Sequence, residues 1–300
     1  MKKILTFGFV LGILALQAQT NRFFYDYKYI PDSNNREDVK SDLMVLDINA
    51  KGSSYFSHAS FVADSTQRAD IEKQMQMTPG SINIKRTEKP GQINFKVTKS
   101  YPDYTTFLYR KISSDRYKIA EDSKPEWKIS SEKQKIGEYN TQKATTSFGG
   151  RDWIAWFTQE IPFQDGPYKF YGLPGLIVKI EDTTGSHIMT LTGNKKINNP
   201  TEEKDLDIPS NMRVYGFGGN EIEVTEDRFR KAWKAYVNDP TKNMREMMSK
   251  NSDTNKVVFR TKTSDGREIS DPNQVFREME KNAKEGFKKN NNPIEPDLQK

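Results

Sequence analysis

The sequence predicts a mainly β protein of the α+β kind, a curved antiparallel sheet or half-barrel with short helices placed mostly toward the C-terminus. Three observations carry that expectation. Short runs of aromatic and β-branched residues recur between turn signals from Arg22 to about Leu191. Helix-period patterns gather after Thr225, with one exception earlier in the chain. The 300 residues contain no cysteine, so the sheet must be held by a packed core and not by disulfides.

The first eighteen residues are set aside from the fold. Lys2 and Lys3 precede an apolar run from Ile4 to Leu16, and Gln17 and Ala18 close it, the pattern of a cleaved secretory signal peptide. The run falls short of the roughly 20 residues of a transmembrane helix. The expectation is export to the periplasm or the extracellular space, with no transmembrane segment in the mature chain. No cysteine follows the run, which excludes thioether acylation. The formal charge of +6 loses two units with Lys2 and Lys3, and the mild remainder is spread along the chain. With no recognition motif present, nucleic acid is not an expected partner.

The elements follow in order. "RFFYDYKYI" opens as a strand, and "SDLMVLDINAKGSSYFSHASFVAD" reads as two strands turning at Lys51 and Gly52. Ser65 to Pro79 has helical spacing and a Pro79-Gly80 stop. "GQINFKVTKS", "YTTFLYRKI" and "RYKIAED" continue the meander. "YNTQKATTSF" and "RDWIAWFTQEI" flank Gly149-Gly150, a hairpin signal because both turn positions require positive φ. Within the second of these, Trp153, Ala155 and Phe157 face one way, Ile154 and Trp156 the other. A strand apolar on both faces is covered on both, or faces a cavity on one.

In "LPGL", Pro174-Gly175 suits the centre of a type II turn. "LIVKIED" then turns at Asp182 to Gly185 into "HIMTLTG". A polar linker runs from Asn194 to Met212. Thr225 caps a helix carrying Phe229, Trp233 and Tyr236 on one face, Asp239-Pro240 starts another, Asp265-Gly266 turns a small hairpin, and Asp271 caps a last helix. The expected division is a signal peptide over 1–18, a β domain over 19–195, a helical and hairpin extension over 196–288 packed on the sheet, and a flexible tail over 289–300.

Gly172, Leu173, Pro174, Gly175, Leu176 and Ile177 spell GLPGLI. With the surrounding stretch from Lys135 to Ile180 and the leader, the chain resembles the GLPGLI family of exported Bacteroidota proteins. That family is defined by sequence, so the resemblance implies an exported cell-envelope protein and supplies no activity and no catalytic residues. The long curved meander also resembles, more loosely, the half-barrel of periplasmic lipoprotein carriers, a likeness of fold that does not fix function.

No catalytic constellation stands out, and neither a metal nor a cofactor is expected. His58 and His187 are far apart in strand-like runs, where a lone histidine is ordinarily a satisfied core residue. G-x-S-x-G and the phosphate-binding glycine loop are missing. Glu160 and Asp165 bracket "IPFQ" and offer an acid/base pair, against the plainer reading as solvated loop acids. Arg151 and Asp152 read as a surface pair.

The aromatics Trp153, Trp156, Phe157, Phe163, Tyr168, Phe170 and Tyr171 fall within twenty residues. They form either a core or the lining of an open groove for an acyl chain, an extended peptide or a sugar ring. The sequence thus points to a non-enzymatic envelope module that binds a lipid, peptide or glycan. The alternatives are a carboxylate-dependent hydrolase of envelope glycans or peptides, and a structural protein docked on another envelope protein.

Overall fold

A computed structural model describes residues 19–77, 91–113, 115–198, 221–250, 261–262 and 266–300. The expected signal peptide, most of the polar linker and Asp265 lie outside the described residues. Strand β1 (Gln19–Tyr29) is central, flanked by β2 (Lys40–Asn49) and β11 (His187–Asn198). Beyond β2 the order runs through β3 (Gly52–Ser57), β4 (Lys96–Ser100), β5 (Thr105–Ile112) and β6 (Asp115–Ala120) to β12 (Glu221–Thr225). Beyond β11 it runs through β10 (Leu176–Asp182), β9 (Arg151–Thr158) and β8 (Tyr139–Phe148) to β7 (Lys128–Ile136). Together they make one open twelve-stranded sheet.

The sheet is mixed, a correction to the purely antiparallel expectation, because β12 pairs with β6 in parallel. A parallel partner arrives through a long crossover and leaves no local turn signal to read. A second, two-stranded pair joins β13 (Thr261–Lys262) to β14 (Glu268–Ile269). At the β8–β9 turn, Gly149 and Gly150 have φ of 62° and 84°, as their hairpin requires.

Side chains alternate cleanly between the faces. Phe23, Tyr25 and Tyr27 of β1, Met44, Leu46 and Ile48 of β2, and Trp153, Ala155 and Phe157 of β9 belong to one buried cluster. The sheet bends around that cluster. Phe95, just before β4, meets Tyr168 at 5.1 Å between ring centroids, Tyr168 meets Phe170 at 6.2 Å, and Phe170 meets Trp153 of β9 at 4.9 Å. In a flat sheet β4 and β9, six positions apart, would lie about 29 Å from each other. Three ring contacts bridge them only if the sheet curls.

What fills the curl is the β9–β10 connection, 159–175, whose residues Asp165 to Tyr171 are all buried. On the opposite face, helix α1 (His58–Met77) packs over β2 and β3, with Phe61 against Phe56 at 5.2 Å. This helix begins seven residues before the expected Ser65. The Ser57 hydroxyl accepts the Ser60 amide at 3.2 Å, a capping bond that ends β3 where hydrophobicity alone suggests a continuing strand. His58 therefore stands at a helix start, not in a strand.

The C-terminal helices are α2 (Glu226–Asn238), α3 (Lys242–Lys250) and α4 (Pro272–Lys289), with Thr225 and Asp271 capping α2 and α4. Trp233 and Tyr236 of α2 meet Phe287 of α4 at 5.8 and 5.6 Å. The tail, expected to be flexible, is instead packed. Ile294, Glu295 and Leu298 are buried, and Pro296–Gln299 form a short 3-10 helix. Two apolar anchors four residues apart are easily lost in so polar a composition.

The GLPGLI turn is also tighter than a type II turn. The Gly175 amide donates to the Leu173 carbonyl at 2.7 Å across Pro174, a three-residue γ-type turn, while the Leu176 amide donates to Ile161. Gly175 has φ of 147°, and a Cβ there would stand 2.0 Å from the Thr158 carbonyl oxygen. Gly175→Ala should therefore destabilise the protein by about 3 kcal/mol or more, read as a lowered urea midpoint, through strain and backbone clash together.

Candidate functional site

The buried 165–171 loop needs partners for its backbone carbonyls, because no water reaches them. Lys99 supplies them. Its side chain is fully buried, with Nζ 2.5 Å from Asp165 Oδ1, and it donates to the carbonyls of Gly166 at 2.8 Å, Tyr168 at 3.1 Å and Phe170 at 3.3 Å. Tyr101 donates its hydroxyl to the other oxygen of Asp165, and the Gly166 amide donates to Oδ1 at 2.6 Å. Burial pulls the Lys99 pKa down, against the raising effect of Asp165.

A second buried lysine, Lys169, follows two residues after Pro167 on the same loop. Its ammonium is 2.5 Å from Glu121, 2.8 Å from Glu295 and 3.8 Å from Glu226. Burial alone would lower its pKa, but Glu295 and Glu121 outweigh it and hold it up. Burial first, then the Glu121 charge, push the Glu226 pKa up to about 7. The three glutamates line the wall of a cleft of about 580 Å³ together with Ser123, Phe148, Gly149, Arg230, Asp297, Leu298 and Lys300.

A third cluster fastens the C-terminal strap that forms one side of this cleft. Arg151 donates to Asp182 at 2.9 Å, to Asn292 Oδ1 at 2.6 Å and to the Pro293 carbonyl at 2.6 Å. His187 lies between the Tyr27 hydroxyl, 2.8 Å from Nδ1, and the Asn292 carbonyl, 3.2 Å from Nε2. Burial, then Arg151, hold its pKa down to about 3. Burial alone would raise Asp182, but the Thr184 hydroxyl, the His187 amide and Arg151 keep it below the usual carboxylate range.

The structure brings most of the sequence-predicted aromatics together, but as filling. Trp153, Phe157, Tyr168 and Phe170 are at most 1% exposed, Trp156 and Tyr171 are buried, and Phe163 is half-buried against Phe23. None of the seven lines the cleft. In the hexapeptide, Leu173, Gly175, Leu176 and Ile177 are buried while Gly172 and Pro174 are exposed.

Glu160 and Asp165 do not form the acid/base pair that their spacing allows. Glu160 is exposed and accepts from Asn140, whereas Asp165 is fully buried on Lys99. Arg151 and Asp152 also part company: Arg151 turns to Asp182, and Asp152 accepts from Ser147. His58 and His187 remain apart, and among the described residues no group of three acidic or histidine side chains could hold a metal ion.

The residues that sequence reading missed are Lys99, Lys169, Glu121, Glu226 and Glu295. Two carried a signal: Lys99 shares the inward register of Val97, and Lys169 interrupts the aromatic run "PYKFYGL".

Residues 149–179, which include the hexapeptide, match the model of a family described as a protein of unknown function (Porph_ging). No curated protein matches the chain. Two solved structures of PNGF-II, in space groups P21 and C2, align at 18% and 19% identity with TM-scores of 0.43. The alignments cover 72% and 71% of this chain but 33% and 32% of theirs, so the chain spans about a third of their length.

Two outcomes are expected from these clusters. Lys99→Met should cost about 3–5 kcal/mol in urea unfolding, because it strands a buried carboxylate and orphans the carbonyls it capped. The pH dependence should be two-signed. The unfolded chain protonates His187 near 6.5 while the fold resists until about 3, so His187 makes stability fall with falling pH across that window, by up to about 1.4 kcal/mol per unit. Glu226, raised in the fold, works in the opposite sense between about 4.5 and about 7. His187→Asn should flatten or reverse the acid loss, and Glu226→Gln should steepen it.

Proposed function

We propose that this chain is an exported, non-catalytic binding module of the cell envelope, a GLPGLI family protein carried to the periplasm or beyond by its leader, and that it takes a glycan in the Glu121–Glu226 cleft. One observation carries this reading: the inner face of the sheet is occupied by the chain's own aromatic loop, while the cleft beside it stays open. Its volume falls within the roughly 300–1,000 Å³ of small-molecule sites. Its walls are hydroxyl, carboxyl, guanidinium and ammonium groups around one ring, Phe148, and one aliphatic side chain, Leu298, a lining suited to a hydroxyl-rich ligand that stacks one apolar face.

A hydrolase reading has one supporting feature, a Glu226 whose pKa is pushed up to about 7 near a second carboxyl. Both carboxyls are held on the same Lys169 ammonium, at 2.5 and 3.8 Å, so neither is free to act on a bound substrate, which favours binding over that chemistry. A scaffold reading would use the exposed edge strand β7. That strand carries Lys128, Lys133 and Lys135 and a register shift between Ile129 and Lys133, the devices that block edge pairing.

Native mass spectrometry of protein purified from its own envelope, with titration of envelope glycan fragments, tests the proposal. A bound glycan is expected, with affinity falling about tenfold in Glu226→Ala through loss of one hydrogen bond to a ligand hydroxyl. A co-purifying acyl lipid whose binding ignores Glu226 would overturn it.

A further inference from the structure

Lys169 and Glu295 lie 126 residues apart in sequence and meet with Nζ 2.8 Å from Oε2, their side chains 1% and 4% exposed. Glu121 approaches the same nitrogen at 2.5 Å and is 3% exposed. Two features distinguish this trio from the other buried lysine. The Lys99 ammonium is committed to three backbone carbonyls, which need its protons whatever happens at Asp165. The hydrogen bonds of Lys169 Nζ run instead to the two carboxylates, so losing protons there orphans no backbone group.

The second feature is the state of Glu295. Burial pushes its pKa up against the pull of Lys169, toward its acid form. Glu295 and Glu121 hold the Lys169 ammonium charged at rest, so reaction draws on the minor form in which its proton has passed to the carboxylate, which removes two buried charges and leaves an amine against a carboxylic acid.

We infer that Lys169 and Glu295 condense to an intramolecular amide that fastens the C-terminal strap covalently to the buried loop. The Nζ lone pair attacks Cδ of protonated Glu295 and the C–N bond forms. Glu121 takes the proton shed by Nζ and delivers it to the departing hydroxyl, the C–O bond breaks, and one water leaves. No oxidant or co-reactant is consumed. The cleft gives that water a way out, since Glu121 and Glu295 both stand in its wall. The amide N–H that remains still donates to Glu121. In a chain without cysteine, such a link closes a long loop and restricts the unfolded state as a disulfide would.

The test is the intact mass of the full chain under denaturing conditions, with its N-terminus assigned by fragmentation. The expected mass is one water below that of the sequence, and proteolysis should yield a branched peptide joining Lys169 to Glu295. Lys169→Arg keeps the charge but cannot condense, and Glu121→Gln lacks the proton carrier. Both should show their full sequence mass while retaining the wild-type circular dichroism spectrum. A wild-type chain at full sequence mass, or a water loss mapped to any other pair, overturns the inference.

Discussion

The Lys99 ammonium is the contact on which the rest of the molecule depends. A curled sheet needs something inside it, and here the filling is a loop, whose polar backbone would ordinarily be excluded from a dry interior. One buried cation, aimed at three carbonyls and balanced by Asp165, makes that burial tolerable. With the backbone satisfied, Tyr168 and Phe170 can present their rings to Phe95 on one side and Trp153 on the other. The lysine is an expensive group to bury, and its pair with Asp165 brings little net stability by itself. Its contribution lies in allowing the aromatic packing around it.

The two lysines of this region divide the labour. Lys99 reaches up from the sheet into the loop, while Lys169 reaches out from the loop toward α2 and the C-terminal strap. The strap closes over the Gly149-Gly150 turn so tightly that a Cβ on Gly149 would stand 2.6 Å from Glu295, and one on Gly150 2.8 Å from Asp297. The diglycine thus answers two demands at once: hairpin dihedrals, and room for a segment nearly 150 residues further along.

Local pattern made much of this legible in advance. The mainly β class, the diglycine hairpin, the Thr225 and Asp271 caps and the aromatic concentration all follow from spacing within a dozen residues. What escaped depends on distant partners. The parallel β12, the packed tail and the inward turn of Arg151 each rest on contacts more than 100 residues apart. The candidate cleft was hidden for the same reason: Glu121, Glu226 and Glu295 come from three separate segments, and each by itself is one acid among many. Lys169 was overlooked for a different reason, since hydropathy treats a lysine as surface even when aromatics flank it on both sides.

The central place of β1 has a consequence for how the molecule comes into being. The strand pairs over Asn21 to Tyr29 with β2 close by, and on its other side along its whole length with β11, as in Tyr25 against Leu191. A polypeptide appearing N-terminus first must hold that side unzipped until most of its length has emerged. Such non-local closure is slow and leaves hydrogen-bonding groups open to strangers in the meantime. The earliest strand among the described residues is among the last to be sealed, and a holding factor that shields it during that wait would raise the yield of folded molecules without touching their final stability.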